Sequence, residues 1–148
     1  MLITKTIEID MGHRIPNHKS KCRNIHGHRY KIEVGIDDKV RDQQGESDEG
    51  MVIDYSDLKE VMMEMIDANF DHGFVIYSKD DFADDFEIMK QRGKLKVIFV
   101  DFIPTAENLA KYWYYILEDA LIEKNIQLAY VRVFETPTST ATYSLTNK

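Results

Sequence analysis

Ile3, Ile7, Ile9 and Met11 alternate with other residues along the opening segment, the spacing of a strand that turns one face to a core. Tyr30, Ile32, Val34 and Ile36 repeat the pattern, so two strands are expected to pair antiparallel. Between Asp37 and Gly50 the chain turns polar and acidic (DDKVRDQQGESDEG) and reads as an exposed connection. A short strand is expected at MVIDY. Beyond it, Leu58, Val61, Met62, Met65 and Ile66 recur at helical spacing, with Ser56 placed to cap the start. The segment from Ser78 to Lys94 is highly charged; Phe82, Phe86 and Met89 could form one side of a short helix there. KLKVIFVDFI reads as a strand buried on both faces and ended by Pro104. Thr105 caps a further helix with an apolar stripe of Leu109, Ala110, Trp113, Ile116, Leu117, Ala120 and Leu121. Leu128–Glu135 and Thr140–Leu145 supply the last two strands, around a turn at Pro137.

This order predicts an α+β fold, an antiparallel sheet with two helices on one face. With 148 residues, 43% of them hydrophobic, the chain is long enough for one well-formed core. No repeat, low-complexity tract or linker divides it, so residues 1–148 are expected to form a single domain. The single cysteine excludes an intrachain disulfide. MLITKTIEID lacks the basic and apolar regions of a secretory signal, and no apolar run reaches membrane-spanning length. A soluble, cytoplasmic protein is expected, without a membrane partner.

The net charge of −7 argues against nucleic acid as a partner, because phosphate backbones select an excess of Lys and Arg. One window breaks the average. From Gly12 to Ile32 there is no Asp or Glu, while Arg14, Lys19, Lys21, Arg23, Arg29 and Lys31 all fall inside it. A charge run is ordinarily a solvated face. Here it surrounds Cys22, His26 and His28, which points to a site for an anionic small molecule.

Residues two apart on a strand share a face, so His26 and His28 lean into the space bordered by Tyr30, Ile32 and Val34. His13 has the parity of Ile7, Ile9 and Met11, and reaches the same point if the first strand extends that far. Three neutral imidazoles with a fourth position open form a catalytic zinc arrangement, although copper, iron and nickel also accept imidazole. The bland alternative is a chance H-x-H. His18, in a polar loop, reads as solvated. Cys22 has three readings: a small buried hydrophobe, a fourth ligand closing a structural site, or a reactive thiol. Its cationic neighbours Lys21 and Arg23 favour the last.

Asp71 and His72 follow the first helix directly, where a carboxylate could orient an imidazole for proton transfer, provided that the chain bends there. The alternative is a plain helix-ending turn. Glu135 shares the parity of Ala129, Val131 and Val133 and so points inward. A buried carboxylate needs partners. It serves either as an anchor for the following turn or as an acceptor for two N–H groups of a ligand.

The first strand running into M-G-H-R, then C-x3-H-G-H, D-H after the first helix, P-T-A-E-N and V-F-E-T-P resemble, in that order, the 6-pyruvoyltetrahydropterin and 6-carboxytetrahydropterin synthase family of the tunnelling fold. The resemblance covers nearly the whole chain. It implies His13, His26 and His28 as Zn2+ ligands, Cys22 as proton acceptor, Asp71 and His72 as an acid/base relay and Glu135 as pterin anchor. Thr105 and Glu107 match the segment that helps line the pterin pocket. The three-residue gap between Cys22 and His26 resembles the carboxy synthases of the queuosine route, which act on 7,8-dihydroneopterin triphosphate and release triphosphate and acetaldehyde. Lys19, Lys21 and Arg23 suit the triphosphate. The family further implies trimers with sheets joined edge to edge into a barrel, stacked into a homo-hexamer with active sites between subunits. The rivals are a pyruvoyl synthase that only eliminates triphosphate, a three-histidine zinc hydrolase, and a non-catalytic zinc-stabilised assembly module. Residues 37–50 and 78–94 look longer than in compact members.

Overall fold

A computed structural model of the chain describes residues 1–145. β1 (Leu2–His13) and β2 (His26–Asp37) pair antiparallel along their whole length, from Leu2 opposite Asp37 to His13 opposite His26. β2 continues antiparallel to β5 (Leu128–Thr136), and β5 to β6 (Ser139–Tyr143). On the other side of β1 lie β3 (Phe74–Tyr77) and β4 (Val97–Val100), both running parallel to their neighbours. The six-stranded order is β4-β3-β1-β2-β5-β6.

The sheet is therefore mixed, which corrects the expected antiparallel one. The correction comes from β3, whose four residues directly follow a tight bend and are too few to show alternation. The expected strand at MVIDY is absent as well. Val52 and Ile53 instead plug the core from a loop closed by hydrogen bonds between Arg41 and Gly50 and between Arg41 and Met51.

α1 (Tyr55–Met62) begins one turn after that plug. Its cap is Asp54 and not Ser56: the Asp54 carboxylate accepts the Ser56 N–H at 2.7 Å. The helix runs on through a π turn, Met63–Asp67, and a last helical turn, Ala68–Phe70. The Asn69 side chain donates to the Glu64 and Met65 carbonyls there, satisfying groups that the π turn loosens. α2 (Ala83–Gln91) lies in the charged segment. α3 (Ala106–Ile122) is capped by Thr105, as expected, through Asn108 N–H at 3.3 Å.

The main core joins Ile9, Met11, Tyr30, Ile32 and Val34 of the sheet to Leu58, Met62 and Ile66 of α1 and to Leu109, Trp113 and Leu117 of α3. Each large side chain buried in this way contributes about 1.5–3 kcal/mol before entropy. Val75 and Val100 also belong to this core, whereas Ile76 and Val97 pack with Phe86 of α2 in a second cluster. Neighbouring strand residues point to opposite faces. α2, in the segment where a short helix was conceivable, thus covers the far face of β3 and β4, which corrects the expected plan of two helices on one face. No helix among the described residues is long and apolar enough to cross a membrane.

Candidate metal centre and active site

His13 closes β1 and stands opposite His26 at the start of β2, two residue pairs beyond Met11 and His28. Gly27 allows this. A Cβ there would lie 2.8 Å from the Met11 carbonyl oxygen and 3.2 Å from Gly12 Cα, so only glycine lets the two strand ends approach so closely. One nitrogen from each of His13, His26 and His28 then comes within 4.8 Å of the other two.

The backbone selects the tautomers. His13 Nδ1 donates to the Pro104 carbonyl at 2.7 Å, and His26 Nδ1 donates to the Asn24 carbonyl at 2.8 Å. Each ring then presents a lone pair on Nε2, and these two nitrogens are 3.1 Å apart. Two lone pairs repel at that distance unless a proton or cation sits between them. His28 Nε2 is buried without a hydrogen-bond partner; Glu135 Oε1 lies 3.8 Å away. Burial also pushes His13 down to about 4, against the opposing bond to Pro104, and pushes His28 below the usual imidazole range. His13 and His28 therefore offer neutral nitrogens, His26 turns its Nε2 to the same point, and a borderline divalent metal fits the set. Tyr30, fully buried beneath, places its hydroxyl 3.2 and 3.4 Å from the two nitrogens of His13, and burial holds that hydroxyl protonated.

Cys22 is not part of the cluster of converging donors, which among the described residues contains the three histidines alone. A closed four-ligand site is thereby disfavoured. The thiol sits in a 3-10 turn, Lys21–Arg23, whose backbone is tied to β1's exit by a bond from Ile15 N–H to the Cys22 carbonyl. It lines a cavity of about 240 Å³ together with His13, His18, Thr105, Glu107 and Glu135. Residues from four separate parts of the chain thus meet in one pocket. His18, expected to be only solvated, is half-buried on its wall. Lys19 and Arg23 border an adjoining cleft, which His18 also lines, whereas exposed Lys21 lines neither.

The side chains of Asp71 and His72 do meet, because the chain bends at His72 into the left-handed region, φ 56°. Asp71 Oδ2 accepts from His72 Nδ1 at 2.7 Å, and Asp71 Oδ1 accepts the Asp10 N–H at 2.9 Å. His72 N–H returns a bond to the Asp10 carbonyl at 2.7 Å. The Asp10 N–H, followed by His72, holds the Asp71 carboxyl below its usual range. His72 itself is exposed, across a shallow concavity from His28, and does not line the pocket that holds Cys22.

Comparison with known proteins gives the family of the chain. Residues 2–146 match the family model described as 6-pyruvoyl tetrahydropterin synthase. A protein of Rickettsia felis named 6-carboxy-5,6,7,8-tetrahydropterin synthase is 36% identical over 90% of this chain and 93% of its own. One of the same name from Haemophilus influenzae is 31% identical over 95% and 96%. The solved 6-pyruvoyl tetrahydropterin synthase of Caenorhabditis elegans superposes with a TM-score of 0.68, covering 97% of this chain and 94% of that one, at 24% identity, and so shares the fold. The chain belongs to the 6-pyruvoyl tetrahydropterin synthase family.

Proposed function

We propose that the protein is a zinc-dependent 6-carboxy-5,6,7,8-tetrahydropterin synthase, which converts 7,8-dihydroneopterin triphosphate with release of triphosphate and acetaldehyde, in queuosine or related deazaguanine biosynthesis. The observation that carries this reading is the meeting of Cys22, Glu135, Thr105 and Glu107 in one pocket beside His13. The name shared by the relatives from Rickettsia felis and Haemophilus influenzae supports the carboxy product.

His13, His26 and His28 would hold Zn2+, which when bound supplies Lewis-acid polarisation of the substrate's side-chain hydroxyls. Glu135 accepts the 2-amino group and the adjacent ring N–H of the pterin with its two oxygens, fixing the reacting carbons within reach. Cys22, as thiolate, takes a proton from the substrate side chain. His72, held in orientation by Asp71, transfers a proton on the opposite face. Thr105 and Glu107 line the pterin pocket, and Lys19 and Arg23 flank the triphosphate. Because His72 is exposed and does not line the pocket of its own chain's Cys22, the relay serves the site of a neighbouring copy. A homo-hexamer built from two trimers provides such neighbours, and β4 and β6, at the two open edges of the sheet, are the strands available to join copies.

The decisive experiment is incubation of the purified, metal-loaded protein with 7,8-dihydroneopterin triphosphate, followed by mass spectrometry of the products. Formation of 6-carboxytetrahydropterin with acetaldehyde is expected. A 6-pyruvoyl product would replace the carboxy reading, and absence of turnover would leave a non-catalytic module.

A further inference from the structure

Next to the metal strand the chain buries an ion pair that the proposed chemistry does not use. Arg14, directly after His13, is only 7% exposed, and its Nε lies 2.9 Å from Oδ2 of Asp80, also buried. The contact is an ion pair without a well-directed hydrogen bond, since neither atom has one. Among the described residues neither Nη of Arg14 donates to a protein acceptor, although Arg14 lines a cleft of about 520 Å³. A guanidinium carries five N–H donors; of the Arg14 nitrogens only Nε is both fully buried and unpaired, so the two Nη groups open onto the cleft and turn their donors to it.

We propose that this cleft is an anion site for the phosphate tail of the substrate, with Arg14 as its buried ligand and Asp80 as the residue that positions Arg14. Lys19, Arg23 and His18 line the same cleft, and His18 also lines the pocket of Cys22 and Glu135, so that the two spaces adjoin. Asp81 is the one acid on the lining. Counted with Asp80, two carboxylates face three cations, and the cleft stays net positive in a protein of net charge −7. A planar fork of donors suits phosphate oxygens better than a point charge does.

Arg14 is held in place from two directions. The Phe82 ring centroid lies 4.6 Å from its guanidinium carbon, a stacking contact that fixes the plane. Asp80 is itself pinned, accepting Phe82 N–H on Oδ1 at 2.9 Å and Ala83 N–H on its carbonyl at 2.9 Å, while its own N–H reaches the Tyr77 carbonyl. The turn leading into α2 is thus shaped around Arg14. A mere anchor for α2 would need the ion pair but not the vacant donors, the stacked ring or the neighbouring Lys19 and Arg23.

The inference rests on the reading of the metal pocket as a pterin triphosphate site, and its test separates the two. The probes are inorganic tripolyphosphate and unphosphorylated 7,8-dihydroneopterin, titrated calorimetrically into the metal-loaded protein, with bound metal measured before and after to separate binding from chelation. The double variant Arg14→Met/Asp80→Asn removes both buried charges together and keeps an amide oxygen for the Phe82 N–H, which avoids stranding one charge. It is expected to bind tripolyphosphate at least tenfold more weakly and dihydroneopterin within twofold of the parent. Lys19→Ala/Arg23→Ala changes only exposed residues and must also weaken tripolyphosphate binding. Parental tripolyphosphate affinity in either variant, or no saturable binding to the parent, overturns the proposal. If Arg14-dependent binding is found but dihydroneopterin triphosphate gives no product, the anion cleft stands and the synthase reading falls. If the double variant turns the substrate over at the parental KM, the cleft falls and the synthase reading stands.

Discussion

Replacing Gly27 by alanine tests whether the close approach of two strand ends creates the metal centre. The added Cβ would meet the Met11 carbonyl oxygen at 2.8 Å, and ordinary contact begins at 3.4 Å, so the backbones must separate by about 0.6 Å. Neither atom belongs to a flexible side chain that could swing aside. Metal–ligand distances tolerate only about ±0.2 Å, so a displacement of this size between His13 and its partners His26 and His28 exceeds the tolerance severalfold. Overpacking of this kind costs about 1–3 kcal/mol, each kcal/mol lowering Tm by about 2–4 °C in a chain of this size. Gly35→Ala is the matched control, since its Cβ would strike the Tyr130 ring farther along the same strand. Both variants are expected to melt early, but only Gly27→Ala should lose its metal, by at least tenfold in competition with a chelator. The reasoning fails if Gly27→Ala retains metal as tightly as the parent, or if Gly35→Ala releases it equally.

Glu135→Gln keeps the volume but exchanges one acceptor for a donor, so pterin affinity should fall by about 1.5–3 kcal/mol, roughly ten- to a hundredfold, with metal content unchanged; normal pterin binding in calorimetry alongside a lowered Tm would make Glu135 a turn anchor instead. Cys22→Ala is expected to keep metal and pterin but to lose turnover, and near-parental product formation would remove the thiol from the chemistry. The metal-free protein should lose stability as pH falls from about 6.5 toward 4. His13 is held near 4 in the fold and rises to 6.5 on unfolding, so the unfolded chain binds more protons in that window and is favoured there. The full depression corresponds to roughly 3 kcal/mol; urea melts of parent and His13→Gln that share one pH dependence would refute it.

The alternating segments were legible because they bury only one face: the parity of Ile9, Met11 and His13 against His28, Tyr30 and Ile32 places the histidines together with no further information. The same logic stops at β3. Phe74–Tyr77 packs Val75 into one core and Ile76 into another, so its residues are uniformly apolar and carry no period. The Asp71–His72 bend was readable only as a condition, because positive φ at a histidine depends on bonds from β1 that lie far away in sequence. Arg14 was legible as part of the basic window, but its pairing with Asp80 was not: sixty-odd residues separate the two, and Asp80 lies in a charged stretch that looks like solvated surface. Glycine 27 was quoted in the motif, yet its necessity follows only from the register that sets it beside Met11.

The left-handed histidine has a consequence for how the protein can vary. A side chain other than glycine or asparagine at such a backbone position costs on the order of 1–3 kcal/mol, and His72 is exposed, so packing returns little of it. Selection for thermal robustness alone would drift toward glycine at this site. If His72 serves the proposed relay, an imidazole there marks a place where folding and use pull in opposite directions. A search for stabilising substitutions would be expected to find residue 72 early, and on that reading the gain in melting temperature would come with a loss of turnover.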